Sequence, residues 1–312
     1  MKKSISAIAL FFSLFAHAQE FPAPGYSDTT DSTMRSRFGK NIELLEEKAI
    51  EGIQVKLHLA KSAKQAIAKG AFLVKDPDYN QEKFNQFILA SFEKSISYFK
   101  KFSPGEEVKE LNLVIVDQGG DKGTISEVTL HSRVIELHLV RWHKYYLKNS
   151  EHYVAVSSIH EFGHVINYMY SPNEVKFHRE MSGVLTECLN LVQLFGLDWF
   201  NKAYLYYYTT TMTDLSLLLN SNYTNMNVVR NLAFTLFTNL YNGTYKGTLE
   251  ARELSEKLII SYIKNPVDGD AGLNQAFAEF EILDADGKTL TLSTLQKDTQ
   301  RMVCQKTEGC KL

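Results

Sequence analysis

The segment His160-Glu-Phe-Gly-His164 is the feature that most constrains this chain. Its two histidines are four residues apart, so on a helix they lie one turn apart on the same face and both imidazoles can reach one cation. The surrounding residues 154–168 contain no proline and place apolar side chains at helical spacing. The pattern therefore predicts a helix that presents two metal-binding imidazoles, with Glu161 between them.

This spacing is the H-E-x-x-H pattern of zinc-dependent hydrolases, in which the glutamate takes a proton from the attacking water. A catalytic zinc ion binds three protein ligands and keeps a fourth position open. We expect His160 and His164 to supply two ligands and Glu161 to act as the general base. The alternative is that the two histidines are satisfied within a helical core.

The third ligand has to lie downstream of the motif, where the candidates are Glu174, His178, Glu180 and Glu187. A metzincin would need glycine and histidine at the positions of Asn167 and Tyr170, so that class is excluded. The segment Ser171-Pro-Asn-Glu174 matches a capping box with proline at the first helical position. We therefore expect the Glu174 carboxylate to bind backbone amides and not a metal.

Glu180 and Glu187 are seven residues apart on one helical stripe, and Glu187 has the more apolar neighbours. A carboxylate buried in such a stripe needs a partner, and a metal is a suitable one. A length argument points elsewhere, because a helix that begins at Ser171 and folds straight back places residue 178 opposite His164. From the residues alone, His178, Glu180, Glu187 and a site without a third ligand all stay open.

The segment Leu185-Thr-Glu-Cys-Leu-Asn190 resembles the Leu-x-Glu-Gly-Leu-Ala segment of gluzincin metallopeptidases. The likeness covers roughly residues 134–196, and Cys188 stands where the family usually has glycine. The resemblance implies that Glu187 is the third ligand, that the cofactor is Zn²⁺ and that the substrate is a peptide or protein. A gluzincin also commonly stabilises the oxyanion with a tyrosine or histidine from its second half, for which this chain offers Tyr204, Tyr206, Tyr207, Tyr208 and Tyr223.

The resemblance further implies a zincin-like α+β fold. In this fold a small mixed sheet has an edge strand over the motif helix, beside the zinc and able to pair with extended substrate, and a mainly helical half follows. Residues 53–59 alternate as a strand does, residues 111–116 are apolar enough for a central strand, and residues 134–140 alternate as an edge or half-exposed strand does. We therefore expect residues 131–141 to lie along the cleft. Helical spacing predicts helices from residue 41 and over residues 61–69, 80–102, 227–240 and 249–263, and residues 284–287 match a hairpin turn.

The N-terminus matches a secretory signal peptide over residues 1–18. Lys2 and Lys3 precede an apolar run, and Ala16-His-Ala18 is a small-x-small cleavage site. The apolar run is too short for a permanent membrane anchor, so we expect export to the periplasm or the extracellular space. In an oxidising compartment, Cys304 and Cys310 are expected to form a disulfide, and Cys188 to remain a buried free thiol.

The predicted organisation has five parts: a signal peptide (1–18), a flexible arm (19–40), an α+β half with the motif helix (41–170), a helical half carrying the third ligand (171–265), and a C-terminal hairpin with a disulfide-closed tail (266–312). A net charge of -2 gives no electrostatic reason to expect nucleic acid or an anionic membrane as partner. The sequence thus predicts a secreted zinc-dependent peptidase. The alternatives are a non-catalytic zinc-site scaffold or binding protein, and a zinc hydrolase of cell-wall peptides.

Overall fold

The computed structural model describes residues 25–70, 78–102, 108–117, 126–129, 131–171, 176–205, 226–264 and 269–306, and it has an α+β fold. The strands are β1 (Ile42–Ile50), β2 (Ile53–Ala60), β3 (Glu110–Val116), β4 (Ser126–Val128) and β5 (Val134–His138). The helices are α1 (Thr30–Thr33), α2 (Lys61–Ala68), α3 (Gln81–Phe102), α4 (Leu139–Leu147), α5 (Glu151–Tyr170), α6 (Lys176–Phe195), α7 (Leu197–Trp199), α8 (Met226–Tyr241), α9 (Ala251–Lys264), α10 (Gly269–Glu279) and α11 (Leu292–Lys306). Among the described residues, none of these helices combines the length and the apolar character needed to cross a membrane.

The strands form one mixed sheet in the order β1-β2-β3-β5-β4. Strands β2, β3 and β5 run parallel, and β1 and β4 pair antiparallel at the two edges. Strand β3 occupies the centre, where its nearly continuous apolar run is buried on both faces. On the inner face, α3 and α5 pack together, and α5 also contacts β4, so the motif helix lies under one edge of the sheet.

The outer face of the sheet carries a smaller apolar cluster of Ala60, Val114, Val116 and Val134. Met34 and Phe38, which belong to irregular helical turns after α1, pack against this cluster together with Ile42. The described part of the N-terminal arm, from residue 25 onward, thus forms helical turns that dock on the sheet. Its backbone also reaches the turn between β4 and β5, because the Thr29 amide donates to the His131 carbonyl at 2.9 Å.

Two sequence predictions about the sheet are wrong. Residues 42–50 form strand β1 and not a helix, because they pair antiparallel with β2 at the edge of the sheet. Ile42 packs against the outer cluster and Leu45 against the main core, so two apolar residues three positions apart serve opposite faces of a strand. Residues 134–138 form an inner strand, because the short β4 pairs with β5 and takes the edge position.

The structure confirms the strands predicted at 53–59 and 111–116 and the helices predicted at 61–69, 80–102, 154–168, 227–240 and 249–263. At residues 284–287 the chain reverses as predicted, since the Leu283 and Thr289 backbones form an antiparallel bridge around that turn. The signal peptide, Glu174, Tyr206 to Tyr208, Tyr223 and Cys310 lie outside the described residues. The disulfide therefore stays a prediction, while Cys188 is buried and free as expected.

Candidate metal centre

Helix α5 places the three motif residues together in the interior, with His160, Glu161 and His164 only 8%, 9% and 5% exposed. The helix forms here because its proline-free sequence has apolar residues on the faces that meet the sheet and α6. The two imidazole rings are perpendicular, with centroids 4.5 Å apart. The sequence-predicted pair of imidazoles on one helical face is thus confirmed.

Helix α6 brings Glu180 to both imidazoles. Its Oε2 lies 3.3 Å from Nε2 of His160 and 3.7 Å from Nε2 of His164. One ligand atom from each of these three residues lies within 4.8 Å of the other two. Within the part of the chain that the structure describes, this is the cluster that could hold a metal ion.

Glu187 lies on the other side of the His160 ring. Its Oε2 is 3.2 Å from Nδ1 of His160, and the residue is only 1% exposed. A carboxylate on Nδ1 fixes the orientation of the ring and leaves Nε2 for a metal. The contacts therefore place Glu180, and not Glu187, on the side where the two histidines converge, so the ligand role of Glu187 stays a prediction that this geometry does not favour.

Gly183 allows α6 to approach the imidazoles closely. It lies three residues after Glu180 and four before Glu187, so all three share one face of α6. A Cβ atom at Gly183 would lie 2.9 Å from Cε1 of His164 and 3.0 Å from Nε2 of His160. Any larger residue at this position would displace the rings, so this glycine sets how closely α6 approaches the two imidazoles.

The charges in the cluster are strongly coupled. Burial alone would lower the pKa of His160, but the adjacent Glu187 and Glu180 carboxylates outweigh burial and raise it to about 10. Burial would raise the pKa of Glu180, but the two imidazoles outweigh burial and hold it well below its usual range. A cation at this position would replace the proton that the imidazole and carboxylates share.

Glu161 points toward the edge of the sheet. Its Oε2 accepts a hydrogen bond of 2.9 Å from the backbone amide of Val128 in β4. Burial raises the pKa of Glu161, although His160 and His164 act against this effect. A buried carboxylate with a raised pKa, fixed beside two imidazole rings, is a candidate proton acceptor.

Aromatic and basic residues lie at the His164 end of the cluster. The ring centroid of Tyr168, one turn further along α5, is 6.3 Å from that of His164. The Tyr168 ring also has the His131 ring at 5.6 Å and the Arg179 guanidinium at 5.4 Å. Nδ1 of His164 is buried without a hydrogen-bond partner, unlike Nδ1 of His160.

The remaining ligand candidate, His178, is turned away from the cluster and occupied elsewhere. Its Nδ1 lies 2.7 Å from the Tyr262 hydroxyl and its Nε2 lies 3.3 Å from Oδ1 of Asp270. These contacts tie α6 to α9 and α10. The structure describes none of the side chains of the predicted oxyanion residues. For Tyr204 it describes the backbone, and the other four tyrosines lie outside the described residues.

Comparison of the chain with known protein families, curated proteins and solved structures finds no match. Sequence reasoning missed Gly183 and the Val128 amide as parts of the site. The position of Gly183 on the same face of α6 as Glu180 and Glu187 was a signal for the first of these, because a small residue on a packed helix face allows a close helix contact. The second is a backbone group, for which side-chain patterns carry no signal.

Proposed function

We propose that this protein is a zinc-dependent hydrolase of peptide bonds with a zincin-like, gluzincin-type site. The observation that carries the proposal is the convergence of Nε2 of His160, Nε2 of His164 and a carboxylate oxygen of Glu180, with Glu161 beside them. We assign His160, His164 and Glu180 as the metal ligands. In this assignment Glu187 supports the site from behind His160.

The distances are compatible with a tetrahedral metal. Ligands at 2.0–2.1 Å from zinc in a tetrahedron are about 3.3–3.4 Å from one another. The Nε2-to-Oε2 separation of 3.3 Å from His160 matches that spacing, and the separation of 3.7 Å from His164 is slightly longer. Two imidazoles and one carboxylate are also a common ligand set of catalytic zinc, which leaves one position for water or substrate.

Zinc bound here would polarise the scissile carbonyl and lower the pKa of water toward neutrality. Glu161 would accept the proton of the attacking water and pass it to the leaving amine. The Val128 amide holds the Glu161 carboxylate in place at 2.9 Å, so the base is oriented before substrate binds.

Glu187 would hold the His160 ring in the tautomer that presents Nε2 to the metal. With its carboxylate 3.2 Å from Nδ1 and almost no exposure to solvent, it makes the electron-rich imidazole that a dication requires. His164 has no such partner at Nδ1. The two histidines would therefore contribute unequally to metal affinity, with His160 the stronger ligand.

Metal analysis and peptide hydrolysis test this proposal together. The purified protein should contain about one zinc per chain and should cleave casein or a peptide library, with activity lost to a chelator and restored by zinc. Glu161→Gln should keep the metal and lose about 100-fold or more in turnover, because only the proton acceptor is removed. Full activity in Glu161→Gln would contradict the mechanism, and a zinc-loaded protein that cleaves no peptide would support the scaffold alternative.

A further inference from the structure

We propose that His131 is a substrate-binding residue of this site, whose imidazole hydrogen-bonds a peptide a few residues from the scissile bond. The inference rests on the proposed function, which places the reaction at the His160–His164–Glu180 cluster. It adds a residue outside the motif helix and α6. Four observations carry it.

The first observation is the backbone of His131, which has φ 57°. This residue is third in the turn Thr129–Ser132, closed by a 3.1 Å hydrogen bond from the Ser132 amide to the Thr129 carbonyl. Glycine is strongly favoured where φ is positive at such a position, because a Cβ atom crowds the carbonyl oxygen. Histidine is among the non-glycine residues found most often at positive φ, but the conformation still has an energetic cost, and residues held in it cluster at functional sites.

The second observation is the contrast with the other non-glycine residues of positive φ in the described chain, Glu51, Asn149 and Glu281. All three have exposed side chains, at chain reversals next to a hairpin or a helix end. The His131 side chain is only partly exposed and faces the Tyr168 ring at 5.6 Å. Among these four residues, His131 is therefore the one whose side chain is directed toward the candidate site.

The third observation is the distance to the metal ligands. The His131 ring contacts Tyr168, and the Tyr168 ring is 6.3 Å from that of His164. Taken together, these two separations place the His131 imidazole within about 12 Å of His164, which is the length of about three to four residues of extended peptide. A peptide held at the metal by its scissile bond is therefore long enough to meet His131 with a residue up to three to four positions away.

The fourth observation is that the turn is fixed from outside. The His131 carbonyl accepts hydrogen bonds from the Thr29 amide at 2.9 Å and from the Thr29 hydroxyl at 3.1 Å. Two residues further on, the Arg133 amide donates to the Thr30 hydroxyl at 2.9 Å, and the Arg133 guanidinium pairs with Asp28 at 2.5 Å. The N-terminal arm therefore fixes the strained turn and, with it, the orientation of the His131 imidazole.

A glycine substitution separates substrate binding from a structural role. In His131→Gly, relief of backbone strain should leave the melting temperature equal to the wild-type value or raise it by about 2 °C. The KM for peptide should rise about 5 to 10-fold, the loss expected for one hydrogen bond, while kcat and zinc content stay unchanged. His131→Asn, which tolerates positive φ and keeps a hydrogen-bonding group, should recover part of the affinity.

Glu281→Gly is the matched control, because it also places glycine at a positive φ, in this case 47°, on an exposed side chain. It should change stability as His131→Gly does and leave KM unaltered. Unchanged KM in His131→Gly, or a KM increase that Glu281→Gly reproduces, would overturn the proposal. A lower melting temperature in His131→Gly would show that the histidine packs for stability, and would also overturn it.

Peptide binding to an inactive protein distinguishes failure of this inference from failure of the proposed function. A peptide library should bind zinc-loaded Glu161→Gln, and about 5 to 10-fold more weakly when His131→Gly is added. If the wild type cleaves no peptide but this difference in binding persists, the hydrolase proposal fails and the role of His131 stands. Equal binding by the two proteins would overturn the role of His131.

Discussion

Two regions of the molecule bury carboxylates among different partners. On the outer face of the sheet, Glu136 is 3% exposed and meets the Arg37 guanidinium at 2.8 Å. Between α5 and α6, Glu180 and Glu187 face the His160 ring from its two nitrogens. Arginine is a permanent cation, whereas an imidazole is neutral in the form that binds a metal. The outer carboxylate is thus compensated by the protein itself, while the inner pair needs a proton or a metal ion.

This difference indicates which buried charges are structural and which belong to a site. Removing one partner of a buried ion pair leaves an uncompensated charge, so changes at Glu136 and Arg37 should act on stability. Changes between α5 and α6 should act on metal affinity first, because metal binding is what the arrangement of ligands favours. The following substitutions test that division.

The largest effect is expected from Glu180→Ala, which should weaken zinc binding by more than about 100-fold, beyond the loss typical of residues that only orient a ligand. Competition with a zinc-binding dye measures the dissociation constant. Glu136→Gln is the control, since it changes a buried carboxylate on the other face of the sheet and should bind zinc as the wild type does. Normal zinc affinity in Glu180→Ala would remove this residue from the ligand set.

Glu187→Ala should weaken zinc binding by about 10 to 100-fold, because His160 loses the carboxylate that orients its ring and raises its basicity. The same competition measurement applies. A loss in Glu187→Ala larger than that in Glu180→Ala would reverse the assignment and make Glu187 the ligand, as the gluzincin resemblance implies. Glu187→Gln should fall between the wild type and Glu187→Ala, because an amide oxygen can still accept from Nδ1.

Gly183→Ala should weaken zinc binding by about 10-fold, because the new methyl group would lie within 3.0 Å of both imidazoles. Gly163→Ala is the matched control. A Cβ atom at Gly163 meets Oγ1 of Thr186 at 2.9 Å, so it crowds the same pair of helices away from the rings. Both variants should lose stability in urea unfolding, and similar zinc affinities in the two would contradict the role of Gly183.

Arg37→Ala should cost about 1 kcal/mol of unfolding free energy, a small value because the arginine side chain is 43% exposed and the pair is screened by solvent. Burial raises the pKa of Glu136 above its ordinary 4.5, while Arg37 acts to lower it. A raised pKa gives stability that is present below the unfolded value and lost as the pH rises through the folded value. Without Arg37 the pKa rises further, so the variant should differ most from wild type near neutral pH and little at about pH 4.

Urea unfolding of Arg37→Ala at several pH values measures this dependence. Zinc affinity at neutral pH should be unchanged, since Arg37 contacts the outer face of the sheet. A loss of stability that is equal at all pH values would show that Arg37 stabilises through its packing alone.

The sequence predicted the local part of the site and not its long-range part. The relative position of His160 and His164 is set by one helical turn, so their spacing alone predicted that both imidazoles share one helix face. The third carboxylate depends on where α6 begins and how it crosses α5, which no local pattern specifies. The rise-per-residue argument pointed near residue 178, within two residues of Glu180, while the resemblance to a family favoured Glu187.

The errors in the sheet have a similar cause. In β1, Ile42 and Leu45 serve opposite faces of the sheet and so show a helix-like spacing, and the pairing with β2 decided the outcome. Strand β4 is only Ser126–Val128, too short for an alternating pattern, and its presence moves β5 away from the edge. Strands with apolar contacts on both faces and very short strands show no clear alternation, so hydrophobic periodicity does not detect them.

The three proposed ligands span residues 160–180 and come from two consecutive helices, whereas the bond from Thr29 to His131 joins residues 102 positions apart. Contacts between near neighbours in sequence form at low entropic cost, and distant ones form late. The helix pair that surrounds the cation can therefore assemble while the N-terminus is still unattached. The metal ion could then bind before the N-terminal arm attaches. The chain would hold its metal before the turn that carries His131 is fixed in place.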